Sequence, residues 1–114
     1  MKANYSTKSA AANPAALMKQ IQKVQEDMET RQAELDAAEY DISAGGGMVA
    51  IKITGKKEIL SIDIKPEIVD PDDIETLSDI LVAGVNEAIK HVESVNATEM
   101  EKVSANMPKV PGLF

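Results

Sequence analysis

The sequence predicts an α+β fold in the order α-β-β-β-α: a three-stranded antiparallel sheet and two long helices, in two layers, completed as a homodimer. Two observations predict it. Apolar residues recur at helical steps near each end of the chain, and between those stretches three short segments alternate apolar and polar residues.

Residues 1–13 are polar and rich in Ala, Ser and Lys, and are expected to be a disordered tail. Asn13-Pro14 then forms a helix start, because Asn caps well and Pro loses no needed hydrogen bond at the first helical position. The first helix is predicted over about 14–38. Leu17, Ile21, Val24, Met28 and Leu35 follow a heptad stripe with one polar interruption, Arg31. A buried polar residue in such a seam can set the register of a dimer.

Strands are predicted over about 39–44, 48–54 and 59–65. Tyr40, Ile42 and Ala44 alternate with polar residues. So do Val49, Ile51 and Ile53, and then Leu60, Ile62 and Ile64. Gly45-Gly46-Gly47 joins the first two strands, and Gly55-Lys56-Lys57-Glu58 is a hairpin turn. One face of this meander is expected to be covered and the other wet.

Pro66 ends the third strand. Asp70 is the expected cap of the last helix, with Pro71 at its first position, and the helix is predicted over about 71–106. Ile74, Leu77, Leu81, Val85, Ala88, Val92 and Val95 form its apolar stripe, extended by Met100, Val103 and Met107. Residues 108–114, with Pro108 and Pro111, are predicted to be irregular. The central domain is thus 14–107.

Dimerisation follows from lengths. Strands of six residues are about 20 Å long, whereas helices of these sizes are about 37 and 50 Å. The apolar stripes continue past the sheet, with Leu17 and Ile21 expected at one overhang and Met100 and Val103 at the other. A second copy is the simplest cover for so much apolar surface.

The chain has 114 residues, one domain's worth. It has no Cys, which excludes disulfides and thiolate chemistry and suits a reducing cytosol. No apolar run is long enough to cross a membrane, and the first residues lack the apolar stretch of a secretory signal. The net charge of −7 lies wholly in residues 66–114, with three Lys against ten Asp/Glu. That distribution disfavours non-specific nucleic-acid affinity, which comes from cations neutralising phosphates.

No catalytic arrangement can be assembled from one His and no Cys, and no metal or cofactor is expected. The three glycines lack the Gly-Lys-Ser/Thr ending of a phosphate loop. Asp70, Asp72 and Asp73 lack calcium-loop spacing, and their place at a helix start accounts for them. Lys19 and Lys23 share a helix face, Lys56 and Lys57 stand at a hairpin tip, and Lys90 and His91 stand on the last helix. Each has an ordinary reading as solvated surface, and each is a candidate phosphate contact.

Several short pieces combine into a pattern. They are Leu17-Met18-Lys19-Gln20, Gly45-Gly46-Gly47-Met48-Val49, Ile53-Thr54-Gly55, Asp70-Pro71-Asp72-Asp73, Leu81-Val82-Ala83-Gly84-Val85-Asn86-Glu87-Ala88, and Pro111-Gly112-Leu113-Phe114. In this order and spacing, over residues 14–114, they resemble the YbaB/EbfC family of bacterial nucleoid-associated proteins. The resemblance implies a cytoplasmic, nucleoid-bound homodimer with projecting, tweezer-like helices. It implies binding to double-stranded DNA that alters its conformation and influences gene expression. It also implies that the basic pair expected on the last helix is here Lys90 and His91, with one partner mostly neutral at pH 7. The candidate DNA contacts are therefore Lys19, Lys23, Lys56, Lys57, Lys90 and His91. The candidate core and dimer seam is Leu17, Ile21, Val24, Met28, Leu35, Leu81, Val85, Val92 and Val95. The acidic last third supports a second reading: a dimeric scaffold for a DNA repair or replication protein, with little DNA affinity of its own.

Overall fold

The computed structural model describes residues 13–108. Both predicted tails lie essentially outside that range. The order is α1 (Pro14–Ala37), β1 (Glu39–Ala44), β2 (Val49–Thr54), β3 (Ile59–Ile64), a 3-10 turn (Pro66–Ile68) and α2 (Ile74–Ser104).

Asn13 caps α1 as its sequence suggests. Its side-chain oxygen accepts from the backbone N–H groups of Ala15 at 3.0 Å and Ala16 at 3.3 Å. The helix stops when Ala38 turns extended, one residue short of the expected end. A single residue then separates α1 from β1.

The start of α2 differs from expectation. Asp70 is not its cap. Its carboxylate accepts the Asp72 N–H at 2.9 Å, and its carbonyl accepts the Asp73 N–H at 3.0 Å. Pro71 therefore sits second in a tight turn, a position its fixed φ suits as well as it suits a helix start. Asp73 is the cap, accepting from the Thr76 N–H at 3.3 Å and the Thr76 hydroxyl at 2.7 Å. With two aspartates three apart, the one that also found a hydroxyl partner took the helix end. At the other end α2 stops at Ser104, and a turn over 105–107 replaces its expected last residues.

The sheet order is β1-β2-β3, both pairs antiparallel. Val49, Ile51 and Ile53 on the central strand are fully buried. They meet Ala88 and Val92 of α2, with Tyr40, Ile42, Ile80, Leu81, Val85 and Ile89 around them. Gly84 makes this approach close, since a Cβ there would lie 2.8 Å from Ile51 Cδ1 and 3.0 Å from Ala44 Cβ.

Two expectations about coverage need correction. First, α2 packs on β1 and β2, and every residue of β3 is exposed. The meander's apolar face is therefore only partly covered, because a single helix about 10 Å across cannot span three strands. Second, the helix overhangs are at one end, not opposite ends. α1 enters β1 beside the β2–β3 hairpin, and α2 passes over that same hairpin. α1 packs against α2, with Arg31 bonded to Glu99 and Val24 beside Asn106. Leu17, Ile21, Met100 and Val103 thus belong to one two-helix arm. Of the predicted seam, Val24, Leu35 and Val92 are buried, while Leu17, Ile21, Met28, Leu81, Val85 and Val95 are half-buried.

Candidate nucleic-acid interface

The candidate cations fall into two regions. Lys19 and Lys23 project from the outer half of the arm, both exposed. Lys23 lies 3.7 Å from Asp27, one turn on. From residue 13 to 25 there is no acidic residue, so this stretch is net positive in a chain of net charge −7.

Lys56 and Lys57 occupy the hairpin tip at the root of the arm. Thr54 builds that turn, since its hydroxyl accepts the N–H groups of Lys56 and Glu58, each at 3.2 Å. Lys57 takes the left-handed conformation, φ 67°, usually left to Gly or Asn. Its ammonium reaches Glu93 of α2 at 3.2 Å, so the hairpin is tied to the helix. Lys90 is exposed one turn before Glu93, which puts it in the same region as the hairpin tip. His91 leans its ring against Tyr40, centroids 5.3 Å apart and planes at 72°. Its neighbour is thus an aromatic edge contact of the kind that packs a helix onto a sheet.

About 18 Å of helix separates Lys19 from Arg31 at the arm's root. The six candidates therefore do not form one patch. Among the described residues, no carboxylate lies within 4.0 Å of Lys19, Lys56, Lys65 or Lys90. Lys65 is exposed just past the end of β3.

Arg31 has a role within the chain. It bonds Glu99 of α2 and reaches Glu34 at 3.5 Å, while Glu99 also accepts from Lys102 at 2.8 Å. This network clamps the two helices where the arm leaves the sheet. The bonds from Lys102 and Arg31 hold the Glu99 carboxyl below the usual glutamate value, and that with Glu99 raises the Arg31 guanidinium further. The bond from the Thr76 hydroxyl, and then its N–H, lowers Asp73 in the same way.

The sign of the pH effect follows. A carboxyl depressed on folding stabilises the fold above its unfolded value, 4.5 for Glu99, and loses that contribution as pH falls through the folded value. Denaturation followed between pH 5 and 3 should therefore show a smaller loss of stability in Glu99→Gln than in the parent. An unchanged pH slope would mean the clamp contributes nothing. Asp73 acts in the same direction and is untouched by that substitution.

A second surface is apolar. Ile62 and Ile64 pair directly with Ile51 and Val49, so they share the face that α2 covers further along. A bulge opposite Lys52 and Ile53 leaves Leu60 as the extra residue of β3. Ile59, Leu60, Ile62 and Ile64 are 36–50% exposed, and Val82 on the adjoining helix is 58% exposed. The outer edge of β3 also carries backbone groups that no strand among the described residues pairs. No group of three or more His, Asp or Glu among the described residues could hold a metal. No helix there is long and apolar enough to cross a membrane.

A family model described as the YbaB/EbfC DNA-binding family matches residues 11–107. The chain belongs to that family. Its relatives in bacteria carry the name nucleoid-associated protein. The one from Alkaliphilus metalliredigens is 51% identical over 104 residues, covering 91% of this chain and 90% of its own. Those from Alkaliphilus oremlandii and Clostridium novyi are 53% and 49% identical over 98 residues, covering 86% of this chain and 85% of theirs. An uncharacterised protein of Helicobacter pylori has a crystal structure of the same fold. Its TM-score is 0.62 at 18% identity, with 78% of this chain and 94% of that one covered. YbaB/EbfC is described as a family of DNA-binding proteins. The resemblance carried by the short sequence pieces, and the α-β-β-β-α fold it implied, are thus established.

Proposed function

We propose that this YbaB/EbfC protein is a homodimer that binds duplex DNA on the bacterial nucleoid, mainly through the phosphate backbone, and changes the path of the duplex. The observation that carries this reading is the arm. α1 and the part of α2 after Asn96 stand beyond the sheet, and the outer stretch of α1 is an acid-free, lysine-bearing segment in a chain of net negative charge. Lys19 and Lys23 there, with Gln20, Gln22 and Gln25, can reach phosphate oxygens, which carry no sequence information. Among the described residues, the element order holds no helix-turn-helix pair to enter a major groove.

The uncovered face of β3 supports the dimer. An apolar strip bounded by a free strand edge is self-complementary about a two-fold axis, so one copy's strip can cover the other's. The nucleoid-associated names of the relatives support the location. They also support a cytoplasmic setting, as the absence of Cys does.

The test is a titration of labelled duplex at low and moderate salt. Binding should weaken steeply as salt rises, and Lys19→Glu with Lys23→Glu should flatten the slope by roughly 0.9 for each phosphate no longer neutralised. Lys56→Glu with Lys57→Glu, and Lys90→Glu, measure the second region's share. No binding at low salt would reject the reading. It would favour the acidic scaffold instead, in which the exposed Glu67, Asp70, Asp72, Glu75 and Asp79 beside the sheet meet a protein of repair or replication.

A further inference from the structure

The arm carries a groove whose apolar walls lie beneath the side chains that the DNA-binding reading aims at phosphates. It has a volume of about 400 Å³ and is lined by Lys19, Gln20, Lys23, Val24 and Asp27 of α1, with Asn106 beyond the end of α2. The α1 residues form a strip about 12 Å long that runs from the arm's outer half toward the sheet. The aliphatic stems of the lysines and glutamine, with Val24 beneath, make its walls largely apolar. Lys19 and Lys23 are themselves exposed.

The chain after α2 heads toward this groove. The Asn106 N–H bonds the Val103 carbonyl at 3.1 Å and the Met107 N–H bonds Ser104 at 3.0 Å, so the helix closes in a turn and does not run on. Met107 and Pro108 are half-buried, although they follow an exposed helix end. Six residues follow Pro108: Lys109-Val110-Pro111-Gly112-Leu113-Phe114. They reach at most about 20 Å, which exceeds the length of the strip. Three of them, Val110, Leu113 and Phe114, are large and apolar, and Pro111 limits the conformations to be lost on docking.

We propose that residues 109–114 dock in this groove of their own chain, with Leu113 and Phe114 against Val24 and the stems of Lys19 and Lys23. The docked segment adds a third apolar layer to an arm otherwise only two helices thick. It also fixes the stems of the two lysines so that their ammonium groups point outward.

Amide hydrogen exchange on the full-length chain tests this, against Leu113→Asp with Phe114→Asp and against a chain stopped at Pro108. Exchange at residues 20–27 should be roughly tenfold faster in both variants, with Ile51 and Val92 unchanged as internal controls. Trypsin should cleave after Lys109 more slowly in the full-length protein than in the double variant. Equal exchange in all three chains, or equal cleavage in the two that carry Lys109, would overturn the proposal. Protection that rises with protein concentration would overturn it too, because the segment would then occupy a neighbour's groove.

Discussion

Gly55→Ala is expected to destabilise the protein by about 3 kcal/mol or more, lowering the melting temperature by more than about 10 °C. The reason is space. A Cβ on Gly55 would lie 1.6 Å from the Leu35 carbonyl oxygen and 2.6 Å from its carbon, both backbone atoms that no rotamer change can move. Gly55 also joins three elements. Its N–H bonds the Ala38 carbonyl at 3.0 Å, and its own carbonyl accepts from the Asn96 side chain at 3.1 Å. The end of α1, the hairpin and α2 meet at this one residue, and displacing it moves all three.

Gly46→Ala is the control. Nothing lies within 4 Å of its would-be Cβ, and its φ of 67° exposes an alanine only to the left-handed penalty of roughly 1–2 kcal/mol. Thermal melts at one fixed protein concentration compare the two. If Gly55→Ala is no worse than Gly46→Ala, the close junction does not exist in solution.

Ile62→Asp should separate the proposed dimer while leaving each copy folded. Ile62 is 39% exposed in the single chain, so a carboxylate there keeps its hydration and unfolds little. In a dimer closed over β3 the same carboxylate would be buried without a partner beside Ile51 and Leu60. Such a charge raises the dissociation constant by about 100-fold or more, close to 2.8 kcal/mol. Sedimentation equilibrium should then report the 12.2 kDa single chain where the parent reports twice that mass. Helical circular dichroism should be retained. A parent protein that already sediments as a single chain at micromolar concentration would remove the dimer from the proposed function. Ile62→Val, which keeps the face apolar, should leave the mass unchanged.

Much of the architecture was legible because it rests on local periodicity. The heptad steps from Leu17 to Leu35 and the alternation through Val49, Ile51 and Ile53 each dictate which face is apolar, whatever the rest of the chain does. Asn13-Pro14 marked the start of α1 because a cap satisfies its own neighbouring N–H groups. The same logic failed at Asp70-Pro71-Asp72-Asp73. Two caps were available three residues apart, and the choice fell to the Thr76 hydroxyl, one turn into the helix. Arg31 was visible as an interruption of the stripe, but its partner Glu99 lies 68 residues away and no spacing rule links them.

The candidate interface was legible as a set of residue types, not as a place. Lys19, Lys23, Lys56, Lys57 and Lys90 could be picked out as cations. That Lys57 is tied to Glu93, and that Lys56 and Lys90 stand together away from Lys19, depends on how α2 lies over the hairpin.

The sequence by itself determined the order and kind of the elements and the family to which the chain belongs. Backbone preference and apolar period act over a few residues, and these are written locally. Tertiary structure alone decided that both helices leave the sheet at the same end and form one arm. It also decided that a single helix covers two strands and leaves β3 bare. Those outcomes follow from the widths and directions of packed elements, with Gly55 and Gly84 permitting the two closest approaches, and width and direction are properties of the assembled chain.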